Sequence, residues 1–196
     1  MRTIASAAFC LLGFAAVIPV ANAQPPLPRK APEITIVETS GNKIPLSSYK
    51  GKVVVLALVS TICPHCQKEC EMLTQLYAEM KPKGVQMAAI AFNDNAAVLV
   101  PGFIRDHGVT FPVGAAPAPT VLEFLGFSVM DRYVVPQVAV IDRKGMIRAQ
   151  SGPGGDTNLQ DMAFLRNLIN NLASEGATTS GKAAPTAKTA TKGSSN

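Results

Sequence analysis

The chain has 196 residues, 47% of them hydrophobic and 16% charged, with no Trp. This length suits one ordinary globular domain and falls short of two. Its 15 Gly and 15 Pro follow no period and it has only four Cys, which excludes a collagen-like, disulfide-stapled or largely disordered chain. Of the formal charge of +5, Arg2 lies at the front and Lys182, Lys188 and Lys192 at the back, so the intervening stretch is close to neutral and no nucleic-acid-binding face is indicated.

The first residues have the pattern of an export signal. Met1-Arg2-Thr3 is a short basic segment, Ile4 to Val20 is apolar and rich in small residues, and Ala21-Asn22-Ala23 is a small-x-small cleavage site. Cleavage after Ala23 predicts a periplasmic or secreted protein without a permanent membrane anchor. Cys10 lies too early in the leader, after bulky Phe9, to be a lipid-attachment site. Residues 24–31, with Pro25-Pro26-Leu27-Pro28, read as a linker, 32–175 as the folded domain, and 176–196, largely Ala, Thr, Ser, Gly and Lys, as a disordered tail. Export would place Cys63, Cys66 and Cys70 where disulfides form and persist.

Within the domain, Ile34 to Val37 alternates like a short strand, and Ser40 to Lys43 is a turn. Val53 to Val59 is an unbroken apolar run of the kind covered on both faces of a sheet. Pro64 to Met80 has helical spacing through Leu73, Leu76, Tyr77 and Met80, and Pro82 with Gly84 closes it. A strand over Val85–Phe92 leads to a helix over Ala96–His107, against which Pro101-Gly102 argues. Thr110 to Val113 reads as a short strand and Val121 to Leu125 as a turn or two of helix. Val134 to Ile141 is a strand whose Pro136 must lie at its start or at an irregular point. Asp142-Arg143-Lys144-Gly145 turns the chain into a partner strand over Met146–Gln150, and an amphipathic helix over Leu159–Leu172 ends the domain. Strands alternating with helices predict an α/β fold with a central mixed β-sheet flanked by helices.

Cys63-Pro64-His65-Cys66 opens a helix directly after a buried strand. Zinc ribbons share the C-x-x-C spacing but need a second pair, which this chain lacks. A first cysteine at a helix start faces free N–H groups and the positive end of the helix dipole, and both favour its thiolate. Pro64 suits the first helical position because its missing N–H would have no partner there. His65, when protonated, adds a further positive charge. A stabilised thiolate makes the corresponding disulfide the stronger oxidant.

The stretch from Gly41 through Ile44-Pro45-Leu46-Ser47 and Tyr49-Lys50-Gly51-Lys52-Val53-Val54-Val55-Leu56 to Cys63-Pro64-His65-Cys66 resembles the extracytoplasmic thioredoxin-like oxidoreductases of the TlpA and ResA type. The resemblance continues through Phe111-Pro112-Val113, Val135-Pro136-Gln137-Val138-Ala139-Val140-Ile141-Asp142 and Gly145-Met146-Ile147. It implies a thioredoxin-like fold and disulfide exchange with protein thiols or disulfides as substrates, alongside an unidentified redox partner and without metal or cofactor. Cys63 would be the attacking thiolate and Cys66 the resolving thiol, the two forming the reversible disulfide. Pro136 would be cis and lie beside that disulfide, leaving the Val135 backbone to pair with an extended substrate. Glu69, three residues after Cys66, would influence cysteine ionisation. The chain departs from the family pattern in four places. Ile62 stands where many members have Trp, and Pro-His is closer to the dipeptide of the oxidant DsbA than to that of ResA-like reductants. Ala57 stands where thioredoxin has a buried Asp, and 125–134 is longer than the usual approach to the proline.

Two other readings of these residues stay open. A thiol peroxidase of the peroxiredoxin group would need Ser or Thr three residues before the reactive cysteine, which Ser60 supplies, and Pro seven before it, where Leu56 stands. A copper-binding chaperone of the same fold would use the three thiols with His65, yet Cys63 and Cys70 stand two helical turns apart. Cys70 shares a helix face with Cys66 and reads most simply as a buried thiol packing beside Leu73 and Tyr77. Glu69, six residues beyond Cys63, is expected to be partly solvated.

Overall fold

The structure, a computed structural model, describes residues 25–175. The leader, with Cys10, and the tail at 176–196 lie outside the described residues. In chain order the elements are strands β1 (Arg29–Lys30), β2 (Thr35–Val37), β3 (Lys43–Pro45) and β4 (Val53–Val59), helix α1 (Pro64–Met80), strand β5 (Val85–Ala91), helix α2 (Ala96–Asp106), strand β6 (Val113–Ala115), helix α3 (Ala118–Leu125), the hairpin β7 (Gln137–Ile141) and β8 (Met146–Gln150), and helix α4 (Met162–Glu175).

The eight strands form one mixed sheet in the order β1-β8-β7-β4-β5-β6-β2-β3. Central β4 runs parallel to β5, from Val53 opposite Val85 to Val59 opposite Ala91, and antiparallel to β7. All seven residues of β4 are buried because the sheet is covered on both faces. Val53, Val55, Ala57 and Val59 pack with Leu73, Leu76 and Met80 of α1 and with Leu165 and Ile169 of α4. Val54, Leu56 and Leu58 face Val121, Phe124 and Leu125 of α3. The alternation is the period-two pleat of a strand between two apolar layers, and it fixes the direction in which β4 delivers the chain to Cys63.

Several boundaries differ from the sequence expectation, helix α3 for one beginning at Ala118 rather than Val121. Residues 29–30, within the expected linker, form an edge strand: Arg29 pairs with Ile147 and Lys30 with Met146. The Arg29 guanidinium donates to Phe124 O at 2.8 Å and to Gln150 Oε1 at 2.6 Å, so this segment belongs to the domain. Pairing of β6 begins at Val113 rather than Thr110, because Pro112 has no N–H to donate and contributes only its carbonyl, to Ala89 N–H at 2.9 Å. Gly114 then crosses β2 so closely that a Cβ would stand 2.7 Å from Val37 N and O, which only glycine tolerates. Strand β7 begins at Gln137, after the proline rather than before it. The last helix starts at Met162, preceded by a 3₁₀ turn over Asn158–Gln160, and Asp161 Oδ1 accepts Phe164 N–H at 2.7 Å as its cap.

Candidate active site

The end of β4 that follows Val59 opens into the loop Ser60-Thr61-Ile62, and Cys63 is the extended residue from which α1 springs, with φ −90° and ψ 119°. Pro64 occupies the first turn, and Gln67 N–H donates to Cys63 O at 3.1 Å. Both backbone groups of Thr61 are held by side chains. Its N–H donates to Asn93 Oδ1 at 2.9 Å, and its carbonyl accepts Gln67 Nε2 at 3.0 Å. Asn93 Nδ2 also donates to Thr61 Oγ1 at 3.1 Å. The cysteine loop is thereby tied to the end of β5.

The three cysteines of this segment are free thiols in different surroundings. Cys63 is half-buried, and its thiol points to Val135 O at 3.8 Å. Cys66 is fully buried and accepts Ser60 N–H at 3.4 Å. Burial pushes its thiol above the usual thiol range, the Ser60 hydrogen bond opposes this, and a hydrogen bond with Cys63 adds to the rise. Cys70 is fully buried in the same core layer as Leu73 and Tyr77, and burial pushes it up to about 12.

Glu69 differs from the expectation of partial solvation: it is 4% exposed, and its Oε1 has no hydrogen-bond partner. Loss of solvent raises its carboxyl to about 8. The sequence spacing that puts Glu69 one turn beyond Cys66 also places it on the inward face of α1, which the polar residue type concealed.

The Val135–Pro136 peptide is cis, as the resemblance implied. Behind it, fully buried Gln137 uses Nε2 to donate to Val134 O at 2.7 Å and to Gly152 O at 3.0 Å. Val134 N–H donates to Pro153 O at 2.9 Å. These bonds fix the proline segment over the start of α1. A cleft of about 550 Å³ runs alongside, lined by His65, Val134, Val135, Pro136, residues 154–157 and Gln160. Val134 in this lining is 50% exposed, and Ile62, directly before Cys63, is 71% exposed. Cys63, Cys66, His65, Val135 and Pro136 therefore meet at one end of the sheet, with Glu69 buried one turn further along α1.

Sequence reasoning missed Asn93, Gln67 and Gln137. The polar run Asn93-Asp94-Asn95 close after a largely apolar strand was the one available signal, since loops at strand ends commonly carry function. Among the described residues no group of three or more His, Cys, Asp or Glu side chains is arranged to hold a metal ion.

The AhpC/TSA family model matches residues 27–150. The chain is 30% identical over 140 residues to the thiol-disulfide oxidoreductase ResA of Bacillus thuringiensis (strain Al Hakam), covering 71% of this chain and 77% of that protein. It is 35% identical over 83 residues to ResA of Bacillus subtilis (strain 168), covering 42% and 46% of the two chains. Among solved structures, a thiol:disulfide interchange protein of the thioredoxin family from Chlorobium tepidum TLS superposes with a TM-score of 0.62 at 23% identity, over 76% of this chain and 99% of that one; that likeness establishes the fold. With its thioredoxin-like sheet, the chain belongs to the AhpC/TSA family and is a thiol-disulfide oxidoreductase of the ResA kind.

Proposed function

We propose that Cys63-Pro64-His65-Cys66 is the redox pair of an extracytoplasmic thiol-disulfide oxidoreductase acting on protein substrates. The observation that carries this reading is the contrast within one helical turn. Cys63 is accessible at the helix start, whereas Cys66 is sealed beneath it. The Cys63 thiolate attacks one sulfur of a substrate disulfide, forming a mixed disulfide and releasing the other substrate sulfur as a thiolate. Cys66, losing its proton, then attacks the Cys63 sulfur. The substrate leaves as a dithiol and the protein keeps a Cys63–Cys66 disulfide; in reverse the same steps oxidise a dithiol.

The remaining site residues take supporting roles. The carbonyl of Val135 and the flat face of Pro136 bound the strip along which an extended substrate lies. Glu69, kept protonated at neutral pH by its burial one turn beyond Cys66, presents a neutral acid rather than a fixed negative charge on the inward face of α1 and in that way bears on cysteine ionisation. The Pro64-His65 dipeptide, closer to that of the oxidant DsbA than to that of ResA-like reductants, and Ala57 in place of a buried carboxylate both favour an oxidising pair. The couple is therefore more oxidising than that of thioredoxin, which lies near about −270 mV.

The test is alkylation of the reduced protein, with the labelled cysteines mapped by mass spectrometry after equilibration against a glutathione series. Cys63 should react first, with Cys66 and Cys70 protected, and the potential should lie above thioredoxin's. Equal, slow labelling of Cys63 and Cys66 would reject the assignment, and a potential as low as thioredoxin's would reject the oxidising direction.

A further inference from the structure

The near-neutral balance of the domain hides an uneven placement of charge. At the end of the sheet opposite Cys63, a recess of about 290 Å³ opens between residues 30–33, residues 46–52 and the β7–β8 turn. Lys30, Lys50, Lys52 and Lys144 stand around it. None of the four ammonium groups has a hydrogen-bond or ion-pair partner among the described residues. The two carboxylates in the same wall are already engaged. Glu33 Oε1 accepts Ser47 N–H at 3.2 Å, and Asp142 accepts the N–H groups of Lys144 at 2.9 Å and Met146 at 3.0 Å together with the Arg148 guanidinium at 3.2 Å. The positive charge in excess is left for something outside the domain.

The recess also has an apolar lining. Leu46, Val54 and Ile141, all buried, line it together with half-buried Tyr49. An inorganic anion would neutralise the lysines and leave this surface uncovered, while an uncharged apolar molecule would do the reverse. A phosphate carried on a short apolar body satisfies both. We propose that the recess seats the headgroup of an anionic phospholipid, with the four lysines around the phosphate and the Leu46, Val54 and Ile141 surface against the glycerol and first methylenes. Strand β4 leads from this recess to the loop that carries Cys63, a span of about 20 Å at 3.3 Å per residue. A domain resting on a bilayer through the recess presents Cys63 away from the membrane, toward proteins in solution.

The experiment is co-sedimentation of the processed chain, from Gln24 to Asn196, with vesicles of phosphatidylglycerol and phosphatidylcholine in equal amounts, against vesicles of phosphatidylcholine alone. Three comparisons decide it. The variant Lys30→Gln, Lys50→Gln, Lys52→Gln, Lys144→Gln should lose vesicle binding by well over tenfold, since each lysine near an anionic surface contributes roughly fivefold. The pair Lys50→Gln, Lys52→Gln should lose an intermediate amount, and all these variants should keep their disulfide-exchange rate because the changes lie at the far end of the sheet. The variant Lys182→Gln, Lys188→Gln, Lys192→Gln should bind as the unmodified chain does. Absence of binding to the anionic vesicles, binding that follows the tail lysines instead, or binding of soluble glycerol phosphate at the recess without vesicle binding would each overturn the proposal.

Discussion

Cys63 and Cys66 are three residues apart and differ in what surrounds them more than in what they are. The thiol at the helix start is half-buried with an open side, while the thiol one turn further in is fully buried and accepts the Ser60 N–H. Glu69 extends the contrast. Its carboxyl stays protonated in the folded protein up to about pH 8, against 4.5 for the ordinary group. The native state thus holds a proton that the unfolded chain releases, so the contribution of Glu69 to stability is fullest below pH 4.5 and declines as pH rises through about 8. The slope has an upper limit of roughly 1.4 kcal/mol per pH unit. Denaturant titrations across that range should show Glu69→Gln with a flatter decline and a higher stability at about pH 9 than the unmodified protein; parallel pH curves for the two would refute the buried-acid account. Asn93 works at the same scale, because its side chain satisfies the Thr61 N–H and hydroxyl that anchor the cysteine loop. Asn93→Ala should cost about 1–3 kcal/mol, the penalty of leaving a buried donor unpaired, and slow the alkylation of Cys63. Asn93→Asp, which keeps the acceptor and loses the donor, should fall between. An alanine variant with unchanged stability and unchanged Cys63 reactivity would show that the loop holds itself.

Elements were legible in the sequence where one rule governed them. The run Val53 to Val59 could only be a strand covered on both sides, and α1 was bounded by Pro64 at its first turn and by the Pro82 and Gly84 region at its end. Boundaries failed where proline or tertiary pairing overrode the local pattern. Pro112 delayed β6, Pro136 delayed β7, and residues 29–30 became a strand only because the edge of β8 was available to them. Helix α2 is the opposite case, forming through Pro101 although the residue removes a backbone donor from the helix interior. Val100 and Phe103 of that helix are buried against the sheet, and this packing outweighs the local cost. Pro101 itself is exposed, so replacing it forfeits no packing. Pro101→Ala should therefore raise stability by about 2 kcal/mol, the difference between a helical propensity gain near 3 and a smaller loss from the freer unfolded chain. A fall in the denaturation midpoint would mean that the proline ring makes contacts that matter more than the missing hydrogen bond.

For the molecule as a whole, the two ends of the sheet have different characters. One end gathers Cys63, Cys66, His65 and Pro136 from segments more than 70 residues apart, and the spacing of the cysteines in the sequence marked it. The other gathers four unpaired lysines from three segments, and the sum of charges gave no sign of it because a sum carries no positions. The buried carboxyl and the Asn93 anchor escaped the sequence for the same reason: each depends on which way a helix or loop faces once the sheet has formed. The exchange proposed at the first end passes through a mixed disulfide on Cys63 that Cys66 resolves. Its most direct measurement is intact mass and peptide mapping of the Cys66→Ser protein after reaction with a peptide disulfide. A stable adduct of one peptide on Cys63, with none on Cys70, is the expected result. A protein that forms no adduct, or carries it on Cys70, contradicts it.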